Sequence, residues 1–235
     1  MKRFAPAVAL FVFLGLTSFA QKAPPPPPPP RPAPPPPVAI PTPAETVEKT
    51  DEEFAAEILR TAEQPIEWKL REFDGFSVKA LMPREPIRQT ETGFQVGLGR
   101  MTSIIYLSVG DDAIYVIGKT SLPYRVRDPK LLRDYYREFA NGMSQEGPSR
   151  FQHIRDLEIA GNLAVELRSL PSDVRFQSTL SRAFIVGRDV FIMIAMPVED
   201  EEDDEPPSEE LIKARTAEFE RFFNSIVIDE QSSPT

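Results

Sequence analysis

The densest chemistry in the chain is the run Glu199, Asp200, Glu201, Glu202, Asp203, Asp204 and Glu205, seven carboxylates in succession. Carboxylate oxygens suit hard cations, so the chemistry such a run offers is Ca²⁺ binding. It lacks the glycine and the alternation of an EF-hand loop, and in a continuous run many side chains point away from any one ion. The plainer expectation is a solvated acidic loop over 199–207, with weak Ca²⁺ binding and docking to a basic partner as its alternatives. No other cofactor is expected.

A second set is cationic. Arg168, Arg175, Arg182 and Arg188 fall on neighbouring strand-like segments. A guanidinium fork matches a carboxylate or phosphate, so together they are candidates for an anion site. The ordinary alternative is cross-strand pairing with acids.

Catalytic patterns are sparse. His153 is the only imidazole and the chain has no cysteine. This excludes a thiol nucleophile, a disulfide framework, zinc fingers and any site built on two histidines. The strand pattern puts His153 on the same parity as Phe151 and Leu157, which reads as a structural histidine. Gly97-Leu98-Gly99 starts like a nucleotide loop but lacks the third glycine and a strand-to-helix setting. No G-x-S-x-G, H-E-x-x-H or P-loop pattern is present. The expected catalytic set is therefore none. An uncharacterised hydrolase using His153 or Glu166 is the enzymatic alternative.

These residues need elements to hold them. The chain has 235 residues, room for one or two domains. The formal charge of -9 argues against a nucleic-acid partner, which needs a basic face. Lys2 and Arg3 precede the apolar heart Ala7 to Leu16, and Ser18-Phe19-Ala20 supplies small residues. That pattern predicts a secretory signal peptide over 1–20, cut between Ala20 and Gln21. Export to a periplasm or the extracellular space follows. The alternative is an uncleaved anchor in the inner membrane, the only case in which a membrane is a partner.

Prolines fill 24–30, 32 and 34–37. Proline fixes φ and has no amide hydrogen, so residues 21–49 read as a disordered polyproline spacer. Arg31-Pro32-Ala33-Pro34-Pro35 has the look of a proline-rich docking ligand, but receptors of that kind are mostly cytosolic. A capping-box pattern, Thr50 with Glu53, opens a helix within 50–64, with Phe54, Ile58 and Leu59 at helical spacing.

Residues 65–230 read as one folded domain, with a disordered tail over 231–235. Strand-like runs cover Trp68 to Leu70, Phe76 to Met82, Gly93 to Val109 with a break near Gly99, Ala113 to Lys119, Phe151 to Ile159, Leu163 to Ser169, Phe176 to Val186 and Val190 to Met196. Gly110-Asp111-Asp112, Gly161-Asn162 and Gly187-Arg188-Asp189 mark turns. A helix is expected from Asp128 through Met143, and another from Ser208 to Asn224. Ile226 to Ile228 closes as a short strand. The expected fold is α+β, a mainly antiparallel sheet covered by helices as an α/β/α sandwich.

The order of motifs carries a resemblance. Trp68 precedes Phe76-Ser77-Val78, Leu81-Met82-Pro83 and Pro86. Leu131-Leu132, Leu157-Glu158-Ile159-Ala160-Gly161, Glu166, Arg182 and Val186-Gly187-Arg188-Asp189-Val190-Phe191 follow, and Phe219 with Phe222-Phe223-Asn224-Ser225-Ile226 ends the series. This resembles the PsbP-like (Mog1/PsbP/DcrB-type) domains of exported bacterial proteins over about 65–228. Leu163-Ala164-Val165 and the acidic insert depart from it. The resemblance implies an antiparallel sheet between helices and a non-catalytic accessory or binding role. The functional expectation is an exported, non-enzymatic module of the cell envelope whose partner is a protein or envelope component. The alternative is a membrane-tethered adaptor.

Overall fold

Short-range pattern sets the elements. The computed structural model describes residues 51–95, 99–122, 150–170, 178–198 and 207–228. Helix α1, Asp51–Ala62, buries Phe54 and Ile58, four residues apart and so on one face. Helix α2, Glu209–Phe223, is capped by Ser208, whose Oγ accepts from the Leu211 amide at 3.2 Å. Glu209 and Glu210 sit in its first turn, where the helix dipole favours them. Its buried face carries Arg215, Phe219, Phe222 and Phe223.

The strands are β1 (Lys69–Glu72), β2 (Val78–Met82), β3 (Ile87–Gln95), β4 (Gly99–Val109), β5 (Ala113–Ser121), β6 (Arg150–Ile159), β7 (Asn162–Leu170), β8 (Leu180–Val186), β9 (Asp189–Pro197) and β10 (Val227–Ile228). Seven form one sheet in the order β3-β4-β5-β9-β8-β7-β6, and β1-β2-β10 form a second. Every pairing is antiparallel. The β6–β7 turn uses Ala160 at φ 45° and Gly161 at φ 78°. Positive φ at both central residues gives a two-residue loop the twist that suits a hairpin.

Alternation splits the large sheet into two packed faces. On the first, Tyr106, Tyr115, Ile117, Phe184, Phe191 and Met193 meet Phe219, Phe222 and Phe223 of α2 and Val78, Ala80 and Met82 of β2. On the second, Ile105, Leu107, Val109, Ile114 and Val116 meet Phe54 and Ile58 of α1. Fully burying one such aromatic or aliphatic side chain stabilises the fold by about 1.5–3 kcal/mol.

The expected α/β/α sandwich is corrected by this topology. The described residues are mostly antiparallel strand, with two helices. The first face is not covered by helices alone, because β1, β2 and β10 build a separate sheet against it beside α2. The reason lies in pairing. The runs Trp68 to Leu70 and Phe76 to Met82 read correctly as strand-forming, but a local pattern does not say which sheet a strand joins. β2 takes β1 on one edge and the C-terminal β10 on the other. The Leu81 amide donates to Ser225 Oγ at 2.8 Å, closing a contact across 144 residues. The helix expected over Asp128–Met143 lies outside the described residues.

Candidate functional site

Besides Lys119 and Asp189 across β5 and β9, 3.7 Å apart, the large sheet brings together a row of charged residues across β6, β7 and β8. Arg155 stands opposite Glu166, and Glu166 opposite Arg182. Directly opposed residues share a face. Ala164 and Phe184, two residues along in each strand, belong to the first-face core, so the row lies on that face too.

Glu166 Oε2 is the hub. It accepts from Arg182 Nε at 2.9 Å and from Arg155 Nη2 at 3.2 Å. Arg182 is held from a second side by α2. Its Nη1 donates to Asn224 Oδ1 at 3.1 Å and its Nη2 to Glu220 Oε2 at 3.4 Å. Its guanidinium also lies 4.7 Å from the centre of the Phe223 ring. Asn224 Nδ2 donates to Glu220 Oε2 at 3.1 Å, tying the helix C-cap into the same network. Burial raises the Glu166 pKa, but the hydrogen bonds and charges of Arg155 and Arg182 outweigh it, and the net shift is downward. The carboxylate is therefore held ionised.

Exposure changes sharply along the row. The side chains of Arg182 and Glu166 are 5% and 7% exposed, whereas Arg155 is 57% exposed. Arg168, two residues beyond Glu166 on β7, is also exposed. The acids of β6 fall elsewhere. Asp156 and Glu158 stand opposite Val165 and Leu163, on the parity of the other face.

The four candidate arginines thus have different fates. Arg182 is buried in an ion pair, which is the ordinary cross-strand outcome. Arg168 stands opposite Leu180 at one end of β8, while Arg188 lies in the turn beyond Val186 at the other. Six strand residues separate those levels, roughly 20 Å. Arg188 Nε donates to the Leu122 carbonyl at 3.0 Å. Arg175, the run Glu199 to Glu205, and Ala20 with Gln21 lie outside the described residues.

His153 lies in β6, but it does not keep the expected parity with Leu157. The register shifts between His153 and Arg155, so His153 is registered against Leu167 while Leu157 is registered against Ala164. One extra residue in the bulge breaks the alternation.

Sequence reading misses Arg155, Glu220 and Asn224 as members of the row. A signal for Arg155 exists. A two-residue hairpin loop at Ala160-Gly161 pairs Ile159 with Asn162, and counting back four residues on each strand pairs Arg155 with Glu166. No local signal connects Glu220 or Asn224 with Arg182.

Two further buried cations serve the scaffold. Arg84 Nε and Nη1 donate to the carbonyls of Gln64 and Val109, each at 2.6 Å, and Nη2 to Asp111 Oδ1 at 3.0 Å. Arg215 Nη2 donates to the Val198 carbonyl at 3.0 Å, near Tyr115. The Tyr115 hydroxyl donates to Glu218 Oε2 at 2.9 Å. Burial, then the Glu218 charge, raises the Tyr115 pKa and keeps the phenol protonated.

Among the described residues no cluster of three or more His, Cys, Asp or Glu could hold a metal ion, and no helix is long and apolar enough to cross a membrane. Compared with known proteins, the chain matches no family model, no curated protein and no solved structure.

Proposed function

We propose that this chain is an exported, non-enzymatic binding or accessory module of the cell envelope, a folded domain carried on a proline-rich spacer. The observation that carries the binding reading is the state of Glu166, the buried carboxylate of the row. Glu166 is held ionised between two guanidinium groups. A general acid or base needs a pKa near the working pH. Guanidinium stays charged throughout, and Glu166 is moved further from neutrality. With Arg182 answered by Glu166 and Glu220, it is the exposed Arg155 and Arg168 beside them that attract and orient an anion, and Glu166 does not shuttle protons.

The envelope part of the reading is supported by sequence order: a basic start, an apolar decapeptide, small residues before Gln21, and then the proline tract. The accessory role implied by the PsbP-like motifs belongs to the same proposal.

The test is the intact mass of the native protein, taken separately from soluble and membrane fractions. A soluble exported species beginning at Gln21 is expected. A membrane-bound species retaining Met1 would replace this reading with the tethered adaptor. Turnover of an envelope substrate that disappears in His153→Ala or Glu166→Ala would overturn the non-enzymatic assignment. Calorimetry with Ca²⁺ tests the alternative of weak Ca²⁺ binding by Glu199 to Glu205, and no heat at millimolar ion removes that alternative.

A further inference from the structure

We propose that the outer part of the first sheet face, at β6 and β7, docks an extended acidic segment of a partner protein through Arg155 and Arg168. This deepens the binding reading above and rests on it.

Three observations meet here. The first is geometry. Arg155 faces Glu166, and Arg168 lies two residues further on β7, so the two arginines are diagonal neighbours. Diagonal positions on adjacent strands are about 7–8 Å apart. Carboxylates two residues apart on an extended peptide repeat at roughly 7 Å. One stretched acidic segment can therefore present a carboxylate to each guanidinium in turn.

The second is preorganisation. Arg155 donates to Glu166 Oε2 through Nη2, and its side chain is 57% exposed. Arg182, buried behind, already supplies Glu166 with a counter-charge. The exposed cation is thus braced by Glu166 without being neutralised by it alone. Half-buried Leu157 borders the pair on the same face and offers apolar contact.

The third is charge contrast. β6 carries Asp156 and Glu158 on the parity of the other face, so the exposed charges at the β6–β7 end of this side are Arg155 and Arg168, with Glu166 buried beneath them. The chain as a whole carries -9. That net charge repels a broad anionic surface such as lipid or nucleic acid. A segment whose negative charge is confined to the patch avoids the penalty. Docking on the face, not on the edge, also fits the bulge in β6, since an irregular edge is a poor template for an added strand.

The experiment is fluorescence anisotropy with the whole chain and a labelled peptide, Gly-Glu-Ser-Glu-Ser-Glu-Gly, beside a version with glutamine for glutamate. Phosphatidylglycerol vesicles and inorganic phosphate serve as competing anions. Thermal unfolding checks that Arg155→Gln/Arg168→Gln remains folded, and Arg60→Gln on α1 is the control for general charge. Salt-sensitive binding of the acidic peptide is expected, weakened roughly tenfold in the double variant and unchanged in Arg60→Gln. Equal loss in the control, equal binding of the glutamine peptide, no peptide binding, or binding of vesicles or phosphate in preference to the peptide would each overturn it. The outcome is independent of export. Peptide binding together with a retained Met1 would keep the patch and remove the released-module reading, while a Gln21 terminus without peptide binding would do the reverse.

Discussion

Arg84 and Arg182 are both buried guanidinium groups, 6% and 4% exposed as residues, yet they are satisfied in different ways. Arg84 spends its donors on two backbone carbonyls and on Asp111. Its own backbone is paired with Ser108, which accepts from the Arg84 amide at 3.1 Å and donates to its carbonyl at 3.0 Å. That centre is a closed clamp between the segment after α1 and the β4–β5 turn. Arg182 instead pairs with side chains, and its Glu166 is shared with an exposed second cation. The difference teaches what makes a buried charge functional. Arg84 is closed mainly by main chain, with the exposed Asp111 as its side-chain partner, whereas the carboxylate that answers Arg182 also holds the exposed Arg155, the group proposed to meet a partner.

The largest effect should come from Arg182→Met, which leaves Glu166 buried with Arg155 alone. Breaking a buried pair on one side costs about 3–5 kcal/mol, read as a loss of unfolding free energy in urea. Adding Glu166→Leu should recover most of that loss, because removing both charges leaves neither uncompensated. Arg84→Met should cost less, about 2–3 kcal/mol, since it strands neutral carbonyls. No second substitution can rescue it, because its main partners are backbone oxygens. If a rescue were found at Arg84, or none at Arg182, the contrast between the two centres would collapse.

Acid should act on one centre selectively. The folded pKa of Glu166 is depressed. Its contribution is therefore fully present above the ordinary carboxylate pKa and is lost as pH falls through its lowered folded value. Urea unfolding at neutral and strongly acidic pH should show a shallower dependence in Glu166→Gln than in the parent chain, and an unchanged dependence would remove Glu166 as the source. The smallest effect belongs to Arg155→Gln. Arg155 is itself largely exposed and the buried Glu166 keeps Arg182, so stability should fall by only about 1 kcal/mol while peptide affinity falls.

Much of the architecture is legible in the sequence. Ser208 reads as a helix start and accepts from the third residue of that helix. Gly161 and Gly187 mark hairpins and take φ of 78° and 65°. Most strand-like runs lie within two or three residues of the observed strands, because alternation is a local property. The run beginning at Gly93 is less legible: the pairing extends β3 back to Ile87, through polar residues that carry no alternating signal. Of the candidate site, Arg168 and Arg182 stand out in the sequence, and Arg182 joins a carboxylate partner instead of the other arginines. The His153 parity fails at a bulge that leaves no mark in composition.

Among the described residues, the sequence by itself determined most of the strands, the hairpin turns at Gly161 and Gly187, and the two helices, with Ser208 capping the second. Those features depend on neighbours a few residues apart, through φ preferences, caps and the period of apolar side chains. Only the tertiary structure decided that β1, β2 and β10 stand apart as a second sheet, and that Arg182 meets Glu220 and Asn224 at the end of α2. Those contacts join residues distant along the chain. They are chosen by which surfaces bury together and which charges can be compensated there, a competition among all segments at once that no short window of sequence encodes.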